Sequence, residues 1–381
     1  MTAESRERVE LSDASRAELL LMTPGPTRVP AAVLAAGARP MMHHRTPAFS
    51  ALLATMLRRS RALFGTGGDV LPVHSTGRGA MVAAIANLFA PGDEIVCCCN
   101  GKFGHMWAGF AETYGLIVHR VSTESGGDVD AAEVDAALAA CAHARAVTLT
   151  HCDTTSGVLN DVETIAGVAR SHAALTLVDG ISSIGGVPFE LDRWGVDLAI
   201  TASQKCLMSS PGLALVALNE HAWAATERAA LPRSYWNFGE IREFLAKDET
   251  PGTTPVHSVQ QVSEALALMD REGLDNVYAR HANMADRLRQ GIAELGLELQ
   301  CPELAALSPT LTAIAAPAGV DAESIRAAMR ERGILIAIGL LEYRGRGFRI
   351  AHMGDIRPHD IEFTLGALAE VLADLRRGVV R

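Results

Sequence analysis

Between residues 70 and 218 the chain repeats one pattern: a short apolar, β-prone run, a polar or glycine-bearing turn, then a stretch of helical period. The apolar runs Val70–His74, Glu94–Cys99, Val118–Val121, Ala146–Thr150, Leu175–Val178, Asp197–Ala202 and Leu213–Leu218 read as seven strands. A helical pattern runs through Phe64 ahead of the first strand; others reach about Phe89 and cover about 130–142. Strands alternating with helices predict a mostly parallel sheet. From about His257 the pattern lengthens into two amphipathic helices, 257–271 and 274–295, followed by shorter strands and helices. The chain therefore reads as an N-terminal arm (1–20), a large α/β domain (21–260) and a smaller C-terminal α/β domain (261–381).

Candidate chemistry gathers at the C-terminal ends of the strands, where open α/β sheets bind ligands. Leu175–Val178 ends in Asp179-Gly180, and Asp197–Ala202 leads into Ser203-Gln204-Lys205. Cys206, Leu207 and Met208 follow Lys205, and desolvation of this kind lowers an amine's pKa toward the neutral, nucleophilic form that makes Schiff bases. An aspartate in the same crevice is what a pyridinium nitrogen needs to stay protonated while its ring withdraws electrons. Singly, Asp-Gly reads equally as a turn and the lysine as a solvated loop residue. Together they point to pyridoxal phosphate.

Other stretches carry weaker signals. Ser75-Thr76-Gly77-Arg78-Gly79 opens a helix with a glycine turn, an arrangement that offers free amides and the positive dipole end to a phosphate. It is neither a Walker loop nor a dinucleotide fingerprint. Phe103, in a second glycine turn, is either a flat apolar cover for an aromatic ring or a core residue. The hydroxyls of Thr154, Thr155 and Ser156 can bond a phenolic oxygen or cap the helix from Asp161. Thr23-Pro-Gly25-Pro-Thr27 is too proline-rich for helix or central strand. Arg349, on a C-terminal strand, suits bidentate capture of a carboxylate, whereas Arg344 and Arg346 read as loop charges. Tyr235 and Trp236 suit a substrate entrance or an interface.

Composition narrows the classes. With 49% hydrophobic and 20% charged residues, the 381-residue chain can bury a large core. A net charge of −10 with no basic patch argues against a nucleic-acid surface. The charged N-terminus and the lack of any apolar run long enough to span a bilayer lead us to expect a cytoplasmic protein without membrane attachment. Cys97, Cys98 and Cys99 are consecutive in one strand, so their side chains alternate between faces and cannot gather on one metal. His43 and His44 lack spaced partners, and no metal site is expected.

The words VDGISSIGG around Asp179 and SQKCLMSSPG around Lys205, with TPGPT and FRIAHMG near the two ends, resemble the class V aminotransferases of the fold-type I pyridoxal phosphate enzymes. Within these the chain is most similar to the alanine, serine or aspartate:glyoxylate aminotransferases and the 2-aminoethylphosphonate:pyruvate transaminases. The resemblance implies a large domain with a mostly parallel seven-stranded sheet, a smaller C-terminal α/β domain and a homodimer with active sites at its interface. It implies that Lys205 holds the cofactor and Asp179 its ring nitrogen. By the same match Thr76, Gly77 and Arg78 cup the phosphate, although an arginine at 78 is not general in the family. Phe103 stacks on the ring, Thr154 and Gln204 contact the cofactor, and Thr253 reaches the partner's phosphate. Arg349 takes the substrate carboxylate, Gly25 contacts the substrate at the site mouth, and Arg45, within His-Arg-x-Pro-x-Phe, is placed for a second anion. Two departures stand out: Asp153 replaces a glutamate, and Thr250 stands where the family has a tyrosine.

The expected function is ping-pong transfer of an amino group from a small amino acid to glyoxylate or pyruvate. The rivals are 2-aminoethylphosphonate:pyruvate transamination, a lyase or desulfurase on the same cofactor, and a non-catalytic binding protein of the same fold.

Overall fold

A computed structural model describes residues 19–123, 126–301 and 306–377; the arm expected over 1–20 lies outside them up to residue 18. In chain order the strands are β1 (Leu20–Met22), β2 (Asp69–Val73), β3 (Glu94–Cys98), β4 (Ile117–Val121), β5 (Ala144–Thr150), β6 (Leu175–Asp179), β7 (Leu198–Ala202), β8 (Ala214–Leu218), β9 (Leu311–Ala315), β10 (Ile334–Ile338) and β11 (Gly347–Ala351). The larger sheet has seven strands in the order β2-β8-β7-β6-β5-β3-β4. Only β8 runs against its neighbours β2 and β7; from β7 to β4 all pairs are parallel. The smaller sheet has the order β1-β10-β11-β9.

Alternation along each strand feeds two separate cores. Ile95, Cys97 and Cys99 pack on one face of β3 with Trp107 and Ile85, while Val96 and Cys98 pack on the other with Phe49 and Leu63. Helices Gly77–Leu88 and Lys102–Thr113 cover the first face; Pro47–Phe64 and Val162–Ser171 cover the second. Each large apolar side chain buried this way contributes about 1.5–3 kcal/mol. A sheet covered on both faces leaves only its strand ends open to a ligand.

Position 260 lies inside the unbroken helix Val256–Glu272, which sends Val259, Val262 and Leu266 into the large-sheet core. The smaller sheet has its own core, built from Ile334, Ile336, Phe348, Ile350 and Leu368. β1 pairs in parallel with β10, Leu20 opposite Ile334, and so ties the start of the described chain to this sheet. A run of three residues is too short to show a period in sequence. The aromatic stretch around Tyr235 passes into a helix, Phe238–Leu245, that Asn237 caps by accepting from the Gly239 and Glu240 amides. Among the described residues, no helix is long and apolar enough to cross a membrane.

Candidate active site

Asp179 ends β6, and its parallel neighbour β7 pairs there, Asp179 opposite Ile200. The turn that follows β7 carries Gln204 and Lys205. These strand ends meet the start of helix Gly77–Leu88 around a cavity of ≈ 180 Å³. Thr76, Gly77, Arg78, Phe103, Thr154, Asp179, Gln204 and Lys205 all line it, together with Met81, Ile181 and Ser182.

Asp179 is buried, and its Oδ1 accepts from the Ile181 amide at 2.9 Å. Burial pushes its carboxyl up to about 6, against the opposing pull of that amide and of Lys205. The same burial lowers the pKa of Lys205, against the pull of Asp179. Each group is thus driven toward its neutral form by desolvation and held partly charged by the other. An acid whose folded-state pKa is raised destabilises the fold where it is ionised. The penalty is absent below the unfolded carboxylate range near 4, grows with pH, and is complete above about 6, where it amounts to roughly 2–3 kcal/mol. Asp179→Asn removes it while keeping an acceptor for Ile181. With no ligand added, the variant should therefore melt several degrees above the wild type at pH 8 and level with it at pH 4, as read by calorimetry.

The proline-rich segment clamps Lys205 from above. Lys205 Nζ donates to the Pro24 carbonyl, Thr27 Oγ1 donates to the Lys205 carbonyl at 3.0 Å, and the Thr27 amide donates to the Gln204 carbonyl at 3.1 Å. Gly25 sits at φ +100°, and a Cβ there would stand 2.6 Å from Lys205 Cδ and 2.9 Å from Nζ. Gly25→Ala should displace the lysine and strain the backbone by about 1–3 kcal/mol. Borohydride trapping of an added aldehyde at Lys205 is expected to slow at least tenfold; unchanged trapping would show that the segment does not hold the lysine.

At the opposite end, Thr76 precedes the helix without spending its side chain on a capping bond. Gly77 is buried, and a Cβ on it would fall 2.3 Å from Ile181 Cδ1, so a larger residue there would push the Ile181 side chain out of the cavity wall. Helix-start amides and a free hydroxyl beside a cavity suit a phosphate. Arg78 is exposed, with its guanidinium 5.7 Å over the Phe110 ring. Gln204 Oε1 is buried without a partner, and Thr154 Oγ1 lies 3.0 Å from Ser182 Oγ. An unpartnered acceptor, a buried acid and an anion cradle in one cavity fit a ligand that carries donors and a phosphate.

Arg349, on β11, is buried behind this wall. Its Nε donates to the Ile338 carbonyl and its Nη1 to the Thr154 carbonyl, both at 2.8 Å. Burial lowers its pKa to about 10, Asp153 acting against the shift, so it remains a cation at neutral pH. Asp153 accepts from the Thr155 and Ser156 amides at 3.1 and 2.9 Å and from Ser156 Oγ at 2.6 Å. It therefore shapes the turn that carries Thr154, and a Cβ on Gly101 would fall 2.1 Å from its Oδ1. The acid that departs from the family pattern is a turn former that also faces Arg349.

Arg45 and Thr253 lie elsewhere in the chain. Arg45 Nη1 is 2.9 Å from Glu249 Oε2, and its guanidinium sits 5.5 Å over Phe244. Thr253 lines a second cavity of ≈ 480 Å³ with His74, Tyr235 and Trp236. Neither residue lines the Lys205 cavity of its own chain. Met81 and Ile181 escaped sequence reasoning because an apolar residue has no polar signature. Ser182 carried one signal, a Ser-Ser pair just after Asp179.

The architecture is that of the fold-type I transferases. It matches the crystal structure of an alanine–glyoxylate aminotransferase from Nostoc sp. with a TM-score of 0.90 at 30% identity, over 97% of this chain and 98% of the other. By sequence the chain is 34% identical to an L-aspartate–glyoxylate aminotransferase of Paracoccus denitrificans, over 93% of this chain and 91% of that one. It is 38% identical to a protein of Synechococcus sp. named as the small subunit of a soluble hydrogenase, over 93% of each chain. Residues 21–341 match the family described as aminotransferase class-V, and the chain belongs to that family. Its reaction class is accordingly transamination.

Proposed function

We propose that the protein binds pyridoxal phosphate in the Lys205 cavity and moves an amino group from a small α-amino acid to glyoxylate or pyruvate. The observation that carries this reading is the shared cavity of Asp179 and Lys205, each driven toward neutrality, beneath the glycine-opened helix. When bound, pyridoxal phosphate supplies an electron-poor ring that stabilises negative charge at the substrate Cα. Asp179 would keep a proton on the ring nitrogen. Thr76 and the amides at the start of helix Gly77–Leu88 would hold the phosphate, and Phe103 would cover the ring face. Lys205 would anchor the cofactor, and its Nζ, kept from full protonation by burial, would take the proton from the substrate Cα. Arg349, oriented by the Ile338 and Thr154 carbonyls, holds the substrate carboxylate against the cavity wall.

The position of Thr253 supports a homodimer. Thr253 lies in a different cavity from Lys205, and Tyr235 in that cavity is 76% exposed, as expected of a loop that completes a neighbour's site. Arg45 belongs to the same loop cluster through Glu249. In a dimer it would serve a donor's second anion.

The cysteines do not favour a hydrogenase-type metal site. Cys97 and Cys99 pack in one core and Cys98 in the other. The test is a panel of kcat/KM values for alanine, serine, aspartate and 2-aminoethylphosphonate with glyoxylate and pyruvate, for wild type and Arg45→Ala. Activity with the α-amino acids is expected, and Arg45→Ala should lose at least tenfold only with aspartate, the donor with a second carboxylate. Equal loss across donors would make Arg45 structural. Activity with the aminophosphonate alone would replace this substrate assignment with the rival one.

A further inference from the structure

Far from the Lys205 cavity, three unlike side chains converge near the opposite end of the large sheet. Glu94 begins β3, and His119 lies in β4 on the same side; the parallel register sets Glu94 opposite Ile117 and Val96 opposite His119. Cys141 follows helix Ala131–Ala140 and precedes β5, whose Ala144 pairs with Glu94. One carboxylate oxygen, one imidazole nitrogen and the thiol sulfur lie within 4.8 Å of one another, all on partly buried residues. His119 Nε2 is 2.9 Å from Glu94 Oε2, and Cys141 Sγ donates to the Ala137 carbonyl at 3.1 Å.

We propose that Glu94, His119 and Cys141 form a divalent transition-metal site of the zinc or cobalt class, separate from the transamination site. Bonds of about 2.0–2.3 Å at tetrahedral angles place ligand atoms roughly 3.3–3.7 Å apart. The Glu94–His119 pair must part by a few tenths of an ångström and the thiol close by up to about 1.5 Å, distances within reach of side-chain rotation. The set of one oxygen, one nitrogen and one sulfur suits a borderline ion, whereas magnesium and calcium prefer oxygen alone. Three protein ligands leave the fourth position to water. On binding, the ion replaces the thiol proton, which passes to solvent: one metal–sulfur bond forms and one S–H bond breaks. No sequence motif announces such a site, because its members come from two strands and a helix end and have no short spacing.

Cys141 supplies a readout independent of turnover. The other six cysteines are all buried, so iodoacetamide should modify Cys141 first. The holoenzyme, dialysed against chelator and then titrated with cobalt chloride, should take up one ion per chain at this site, with intense tetrahedral absorption in the red, where the cofactor does not absorb. Alkylation of Cys141, followed by peptide mass mapping, should slow at least tenfold. His119→Ala and Cys141→Ser should abolish the red absorption, Glu94→Gln should weaken binding at least tenfold, and Cys301→Ser should bind like the wild type. An alkylation rate of wild-type Cys141 unchanged by cobalt would overturn the proposal, as would red absorption that persists in His119→Ala. The alkylation result uses the wild-type chain, so the test stands even if a variant folds poorly.

Discussion

Lys205→Ala should lower transaminase turnover by more than about 10⁴-fold, the upper end of what one positioned proton-transfer group contributes. The loss should exceed that of an ordinary acid or base because, in the proposed mechanism, the same nitrogen also anchors the cofactor. Lys205 is the lysine that lines the cavity, clamped by Pro24, Gly25 and Thr27 and depressed in pKa by burial. Borohydride reduction and peptide mapping give a second readout. A reduced adduct should appear on the Lys205 peptide of the wild type and be missing from the variant; an adduct on Lys102 or Lys247 would move the assignment. Added amines should restore part of the activity, since an external base can reach Cα where the side chain has been cut away.

Arg349→Lys should cost both half-reactions about 10- to 100-fold in kcat/KM with donors that carry a carboxylate. Charge-assisted bonds are worth about 1.5–3 kcal/mol each, and an ammonium cannot reproduce the guanidinium fork. It also cannot keep two carbonyl contacts and a carboxylate in the same plane, as the Nε and Nη1 bonds to Ile338 and Thr154 require. A donor without a carboxylate, such as 2-aminoethylphosphonate, is the control. Its donor half-reaction, followed alone in a single turnover, should be little changed, whereas an equal loss would mean that the substitution has shifted Thr154 and the cavity wall.

The sheet was legible in the sequence because it is buried on both faces, so each strand appears as a short apolar run; all seven formed within two residues of their expected bounds. Asp179 and Lys205 were legible because polar residues that end apolar runs must sit at strand ends. β1 was hidden, since Leu20–Met22 takes its strand character from pairing with β10 and not from any period of its own. Position 260 looked like a change of pattern, yet the helix there shares its core with the large sheet. The clamp over Lys205 was only half visible. Thr23–Thr27 announced rigidity, but the approach of Gly25 to the lysine side chain depends on a chain separation of 180 residues that no local pattern encodes. Glu94, His119 and Cys141 were invisible as a group for the same reason.

The central claim, ping-pong amino transfer at Lys205, is tested most directly by mixing cofactor-loaded protein with an amino donor and no acceptor. The account predicts a burst of one equivalent of 2-oxo acid per chain that then stops, with turnover resuming when glyoxylate or pyruvate is added. Continuous product formation from the donor alone would contradict it and point to a lyase; the absence of any burst with every α-amino donor in the panel would contradict it as well.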